Sequence, residues 1–206
     1  MTGRETTSHA LSIAGRMADA MTGAPIPAAR VTIVQGPAAF EALRAILAAG
    51  PEWEQTSERL DRTWTRPDGS YRFLDLPAGL YRLEGSAPYL GSRYGTTQTG
   101  SIRVWATRDP AGRIKLDPGD VELPPTRIHG RVTNQVDGEP IAGAKVRLRG
   151  DIEVALTGAD GGYVLAGLVQ GTPTVQVSAR SFVTATKATS LAPGQDQSVD
   201  ISLTPA

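Results

Sequence analysis

Apolar and polar residues alternate with a period of two over several short stretches, including residues 11–17, 29–34, 70–73, 80–83, 127–132, 144–148 and 162–165. Such alternation predicts half-buried β-strands, and each stretch ends in turn-forming residues. The pattern is clearest around Pro67-Asp68-Gly69-Ser70-Tyr71-Arg72-Phe73, which runs on to Leu76-Pro77-Ala78-Gly79 and then Leu80-Tyr81-Arg82-Leu83. Asp-Gly followed by alternating large apolar residues predicts a tight turn entering a strand. The same block returns as Asp160-Gly161-Gly162-Tyr163-Val164-Leu165, followed by Leu168-Val169-Gln170-Gly171. Ile13, Val31, Ile33, Tyr71, Phe73, Tyr81 and Leu83 fall on one predicted inner face. Ile128, Val132, Val146, Leu148, Tyr163, Leu165, Val175 and Val177 fall on a second.

The recurrence extends beyond this block. Ile13, Gly15, Gly23, Pro25, Ile26, Ala29 and Val31 match Ile128, Gly130, Gly138, Pro140, Ile141, Ala144 and Val146, all at an offset of 115. The Asp-Gly blocks match at 92, so the earlier half carries 115 − 92 = 23 extra residues, between about residues 35 and 66. Leu116-Asp117-Pro118-Gly119 and Leu191-Ala192-Pro193-Gly194 match at 75, which places 92 − 75 = 17 more between about residues 89 and 115. The expected architecture is all-β: two tandem, small, Greek-key-like sandwiches, the first with a short helical insertion. Residues 1–9 read as a loose arm, 10–123 as the first sandwich, 124–126 as a Pro-rich linker that limits the inter-domain angle, and 127–206 as the second. Gly15 and Gly130 sit mid-strand, where a bulge or a close backbone approach is the usual reason.

In the first insertion, residues 36–51 read as a helix, with Pro37 at its start and Gly50 and Pro51 at its end. Phe40, Leu43, Ile46 and Leu47 form an apolar stripe at helical spacing. That stripe either covers its own sandwich or docks on a partner subunit. Trp53 and Trp64 lie in the charged stretch that follows. The second insertion contains Tyr89, Arg93 and Tyr94 among glycines and threonines, a composition suited to adaptable contacts with a protein or a sugar.

Composition narrows the chemistry. The 206 residues carry 21 basic and 21 acidic side chains, which argues against a broad face for nucleic acid. There is no cysteine, hence no disulfide framework and no thiolate metal site. His9 and His129 are the only histidines, and neither has a second histidine nearby to build a metal or catalytic cluster. The aspartates near turns are explained by turn formation. No Asp-x-Asp-x-Asp run, phosphate-cradling loop or Ser-His-Asp order occurs. No catalytic residue, cofactor or metal is expected. The start of the sequence lacks the apolar core of a secretory signal, and no run of about 18 apolar residues occurs. A cytoplasmic location is therefore expected, with export or release only as part of an assembly.

The motifs Ile-x-Gly-x-Val, Gly-x-Pro-Ile-x-x-Ala-x-Val, Asp-Gly-x-Tyr and Leu-x-x-Gly resemble the carboxypeptidase regulatory-like domain, of the transthyretin-like or prealbumin-like β-sandwich group. The second half fits this pattern closely. The first departs through its two insertions and through Met17 in place of Val. The resemblance implies an accessory module that spaces, attaches or binds, without peptidase activity. It implies a non-enzymatic structural or interaction protein, a subunit or decoration of a larger assembly such as a phage-tail-like contractile particle. The alternative is a carbohydrate-binding accessory module using Trp53, Trp64, Tyr89, Arg93 and Tyr94.

Overall fold

The computed structural model describes residues 9–50, 53, 59–106 and 115–206. The protein is all-β, and the chain divides into two units: residues 1–89 with 96–123, and residues 90–95 with 124–206.

In the first unit, β1 (Leu11–Asp19), β4 (Ser70–Leu74) and β8 (Val121–Leu123) form one sheet in the order β4-β1-β8. β1 pairs antiparallel with β4 and parallel with β8. The facing sheet runs β3 (Arg62–Trp64), β2 (Arg30–Gln35), β5 (Gly79–Ser86) and β6 (Thr97–Gln98), with β7 (Ile102–Val104) also on β5. The alternation read from the sequence is the burial observed. Ile13, Met17, Val31, Ile33, Tyr71, Phe73, Tyr81 and Leu83 point inward with Val121 and Leu123, each almost without exposure. Each such side chain contributes on the order of 1.5–3 kcal/mol by leaving water.

In the second unit, β9 (Arg127–Asn134), β12 (Gly162–Ala166) and β15 (Asp196–Ser198) form the sheet β12-β9-β15, with β16 (Ile201–Leu203) continuing along β9. The other sheet runs β11 (Ala155–Leu156), β10 (Lys145–Leu148), β13 (Thr174–Ser178) and β14 (Ala185–Ala188). Ile128, Val132, Val146, Tyr163, Val175, Val177, Ile201 and Leu203 make its core, and Leu148 packs against it half-buried.

The mid-strand glycines prove to be sites of close approach. A Cβ on Gly15 would lie 2.4 Å from the Gly119 carbonyl oxygen, and one on Gly130 would lie 2.1 Å from that of Val199. Over each contact a tyrosine closes the sheet: Tyr71 Oη donates to the Gly119 carbonyl, and Tyr163 Oη donates to that of Val199. The Asp-Gly turns also behave as read. Gly69 has φ 77° and Gly161 φ 76°, and their carbonyls accept the N–H of Met17 and of Val132, both at 2.9 Å.

Helix α1 (Ala38–Ala48) is the one α-helix among the described residues. It begins one residue later than the sequence implied, with Pro37 as an extended N-cap. Glu41 reaches back to accept the Gly36 N–H at 2.8 Å, replacing the cap that Pro37 cannot supply. Pro51 lies outside the described residues.

Candidate interaction surfaces

Only one residue of the α1 stripe is committed to the fold. Phe40 is fully buried and meets Tyr81 edge-on, ring centroids 5.3 Å apart. Tyr81 is itself tied down, donating to the Pro77 carbonyl at 2.6 Å. Burial, and secondarily the Glu41 carboxylate, pushes the Tyr81 phenol well above its usual range. On the same helix Arg44 pairs with Glu41 and donates to the Ile33 carbonyl of β2 at 3.1 Å, so the helix is held by the Phe40 ring and by the Arg44 hydrogen bond. Leu43, Ile46 and Leu47 remain exposed, Ile46 to 71%. Periodicity found the stripe, but only its first member is covered by its own unit.

The aromatic residues do not form a single platform. Trp64 and Tyr89, both exposed in the first unit, lean on each other with centroids 5.6 Å apart and planes tilted by 38°. Trp53 lies under the Arg59 guanidinium, 4.2 Å from its ring centroid, and Arg59 also makes a 2.9 Å ion pair with buried Asp61. Arg93 and Tyr94 belong to the second unit. There Arg93 donates to the Gly167 carbonyl at 2.9 Å, and Tyr94 bridges to Pro125. The sequence neighbours Tyr89, Arg93 and Tyr94 are thus split between the two units. The remaining tryptophan, Trp105, lies against two cations, with Lys115 Nζ 3.9 Å and the Arg103 guanidinium 5.2 Å from its ring.

Titratable groups are engaged in structural contacts. His9 pairs with Asp75, whose carboxylate is held below its usual range first by the Ala10 N–H and then by His9. His129 Nδ1 lies 2.6 Å from Asp196, which also accepts from Arg127. Arg127 first, and His129 after it, holds the Asp196 carboxyl below the carboxylate range. Each histidine therefore meets one carboxylate. Among the described residues no three acidic, histidine or cysteine side chains are grouped to hold a metal ion. Among them, too, no helix is long and apolar enough to cross a membrane.

Two buried threonines went unnoticed in the sequence. Thr65 Oγ1 accepts the Ala29 N–H at 2.8 Å and donates to the Ile26 carbonyl at 2.6 Å. Thr157 Oγ1 does the same for Ala144 and Ile141, at the same two distances.

Residues 127–204 match the family model of the carboxypeptidase regulatory-like domain. The human BOS complex subunits NOMO3 and NOMO2 are each 29% identical over 139 residues, 68% of this chain. This chain spans 11% and 10% of their respective lengths. Among solved structures, the shaft pilin SpaA of Lactobacillus rhamnosus GG is similar at a TM-score of 0.39 and 12% identity, over 98% of both chains. A type II cohesin–X-dockerin complex from Acetivibrio cellulolyticus is similar at 0.33 and 21% identity, over 38% of this chain and 56% of that one.

Proposed function

We propose that this chain is a non-enzymatic interaction module made of two tandem domains of the carboxypeptidase regulatory-like kind, and that it serves as a subunit of a larger protein assembly. The observation that carries the reading is α1. Phe40 and the Arg44 bond to the Ile33 carbonyl fasten the helix to its unit, while Leu43, Ile46 and Leu47 project into solvent. An apolar helical face held rigid and left uncovered is suited to docking against a partner subunit, because little ordering cost remains to be met on binding.

The tandem reading is supported by equivalent contacts in the two units. The strand orders β4-β1-β8 and β12-β9-β15 correspond, as do β3-β2-β5 and β11-β10-β13. The tyrosine-to-carbonyl bond, the glycine beneath it and the buried threonine each occur once per unit. The curated relatives are described as subunits of a complex, which agrees with an assembly role. Within that class, the finer assignment is a phage-tail-like contractile particle. A glycan reading lacks a flat aromatic pair, since Trp64 and Tyr89 are tilted by 38°.

The test is co-sedimentation. The full chain should travel with a large particle from native lysate and be seen on it by electron microscopy. Ile46→Asp should lose that association and keep its melting temperature. A full chain that never travels with a larger species removes the assembly role.

A further inference from the structure

Strand β12 ends its sheet, with β9 on one side only. In an antiparallel pair, alternate residues turn their N–H and C=O toward the partner strand. The Val132 N–H donates to the Gly161 carbonyl, so Tyr163 and Leu165 bond to β9, and Gly162, Val164 and Ala166 face the open side. Gly162 is already engaged there: its N–H donates to Asp160 at 3.0 Å and its carbonyl accepts the Gly158 N–H at 2.9 Å. Val164 and Ala166 are exposed and present the open backbone groups of the edge. At the equivalent position of β4, 92 residues earlier (164 − 72), the first unit carries Arg72. A charge on an edge strand discourages an added strand, and β12 has none.

Between this edge and β11 runs a groove of about 310 Å³. Leu148, Leu165 and Leu168 give it apolar walls, and Asp151 and Glu153 line it together with Val154. Among the described residues that line it, none is basic. The Asp151 carboxylate accepts the Ile152 and Glu153 N–H groups of its own loop, at 2.7 and 3.3 Å. Among the described residues, neither acid meets a cation.

We propose that β12 takes up an extended segment of a partner protein as an added strand, with a Lys or Arg side chain of that segment directed into the groove. The open N–H and C=O groups of Val164 and Ala166 pair with the segment's backbone. Side chains of an added strand alternate between the two faces of the sheet, so every second one points toward the facing sheet and enters the groove. A Lys or Arg suits both parts of the lining. Its aliphatic stem covers the leucines, and its charged head reaches the two carboxylates. A segment with acidic residues at those positions is repelled. The site lies on the second unit and does not involve α1, so either surface can fail as a docking site without the other.

The probe is a library of blocked heptapeptides with Thr at alternate positions and Lys, Arg, Leu, Val or Glu at the rest, measured against the full chain by fluorescence anisotropy. Members with Lys or Arg should bind about tenfold tighter or more than those with Glu. Added salt should narrow that difference, because screening shortens the reach of charges to about 10 Å at 0.1 M. The double substitution Asp151→Asn with Glu153→Gln should remove the preference and keep the melting temperature, since an Asn side chain still accepts the Ile152 N–H. Val164→Pro removes a donor that the ladder to β9 does not use, and should abolish binding. Should that variant not fold, the tightest peptide carrying N-methyl groups on its backbone gives the same test and should not bind. With the unmodified peptide bound, hydrogen exchange of the wild-type Val164 N–H should slow. Binding that ignores the two acids, a Val164 N–H that exchanges at its free rate, or no binding by any member overturns the proposal. Self-association of the chain alone that the double substitution abolishes would make the occupant a second copy, and overturns it too.

Discussion

At the scale of single residues, stability turns on a glycine beneath a tyrosine. In Gly130→Ala the new methyl group would meet the Val199 backbone at 2.1 Å, and backbone cannot swing aside as a side chain can. The expected cost is about 1–3 kcal/mol, with a shift of β9 away from β15 and weakening of the Tyr163 bond. Urea denaturation of the variant measures it. A second prediction concerns pH. Burial, and after it the Asp200 carboxylate, pushes the Tyr163 phenol up to about 12. Tyr71 is raised in the same way, by burial and then by Asp120. A raised folded value means the folded state holds its proton where the unfolded chain has released it. The contribution is therefore complete below about pH 10, the ordinary phenol value, and is lost as pH rises through about 12. Melting temperature should fall across that window, and less steeply in Tyr163→Phe. The Asp-Gly turns and mid-strand glycines were legible because each obeys a local rule. Thr65 and Thr157 were not. Their hydroxyls serve an N–H 36 residues away in one unit and 13 in the other, so no fixed spacing marks them.

At the scale of elements, α1 separates what periodicity can and cannot say. Spacing identified Phe40, Leu43, Ile46 and Leu47 as one stripe, but spacing carries no information on what covers it. The answer depends on Tyr81, a residue of β5, whose ring meets that of Phe40 edge-on. Two substitutions on the same helix should therefore behave differently. Phe40→Ala empties a fully buried site and should cost about 3–5 kcal/mol. Ile46→Ala, at an exposed position, should change stability by no more than about 0.5 kcal/mol. Paired chemical denaturation curves check both. Equal losses would mean that the helix is core cover along its whole length. The strands were more legible than the helix surface, because in a sandwich alternation itself assigns each side chain to the inner or outer face.

At the scale of the whole molecule, hydrogen bonding corrects one correspondence suggested by the sequence. The Pro-Gly landmarks at 116–119 and 191–194 matched at an offset of 75. The structure instead sets Gly119 against Val199 beneath the tyrosines, and Asp120 against Asp200 as acceptors for the Arg16 and Arg131 N–H groups. Both pairs differ by 80 positions (199 − 119 and 200 − 120). Pro-Gly marks a turn wherever a turn is needed, whereas a strand position bonded to the core has one register. A domain cut at the ends of the family match would remove contacts of the second unit. That match begins at residue 127, yet the fully buried Thr126 ties residues 90–95 into the second unit. Its Oγ1 donates to the Ser92 carbonyl and accepts the Gly194 N–H, both at 2.6 Å, and its own N–H donates to the Arg93 carbonyl at 2.8 Å. Thr126→Val keeps the shape and leaves two part-buried polar groups without this partner, at a cost of about 1–3 kcal/mol each at most. Hydrogen exchange on the full chain should find the Gly194 and Gln170 N–H groups, the latter held by Ser92 Oγ at 2.9 Å, faster in the variant. Exchange along β10 and β13 should change far less, since those amides pair within their own sheet. If Gln170 keeps its wild-type rate, residues 90–95 are held without Thr126, and the second unit ends where the family match does.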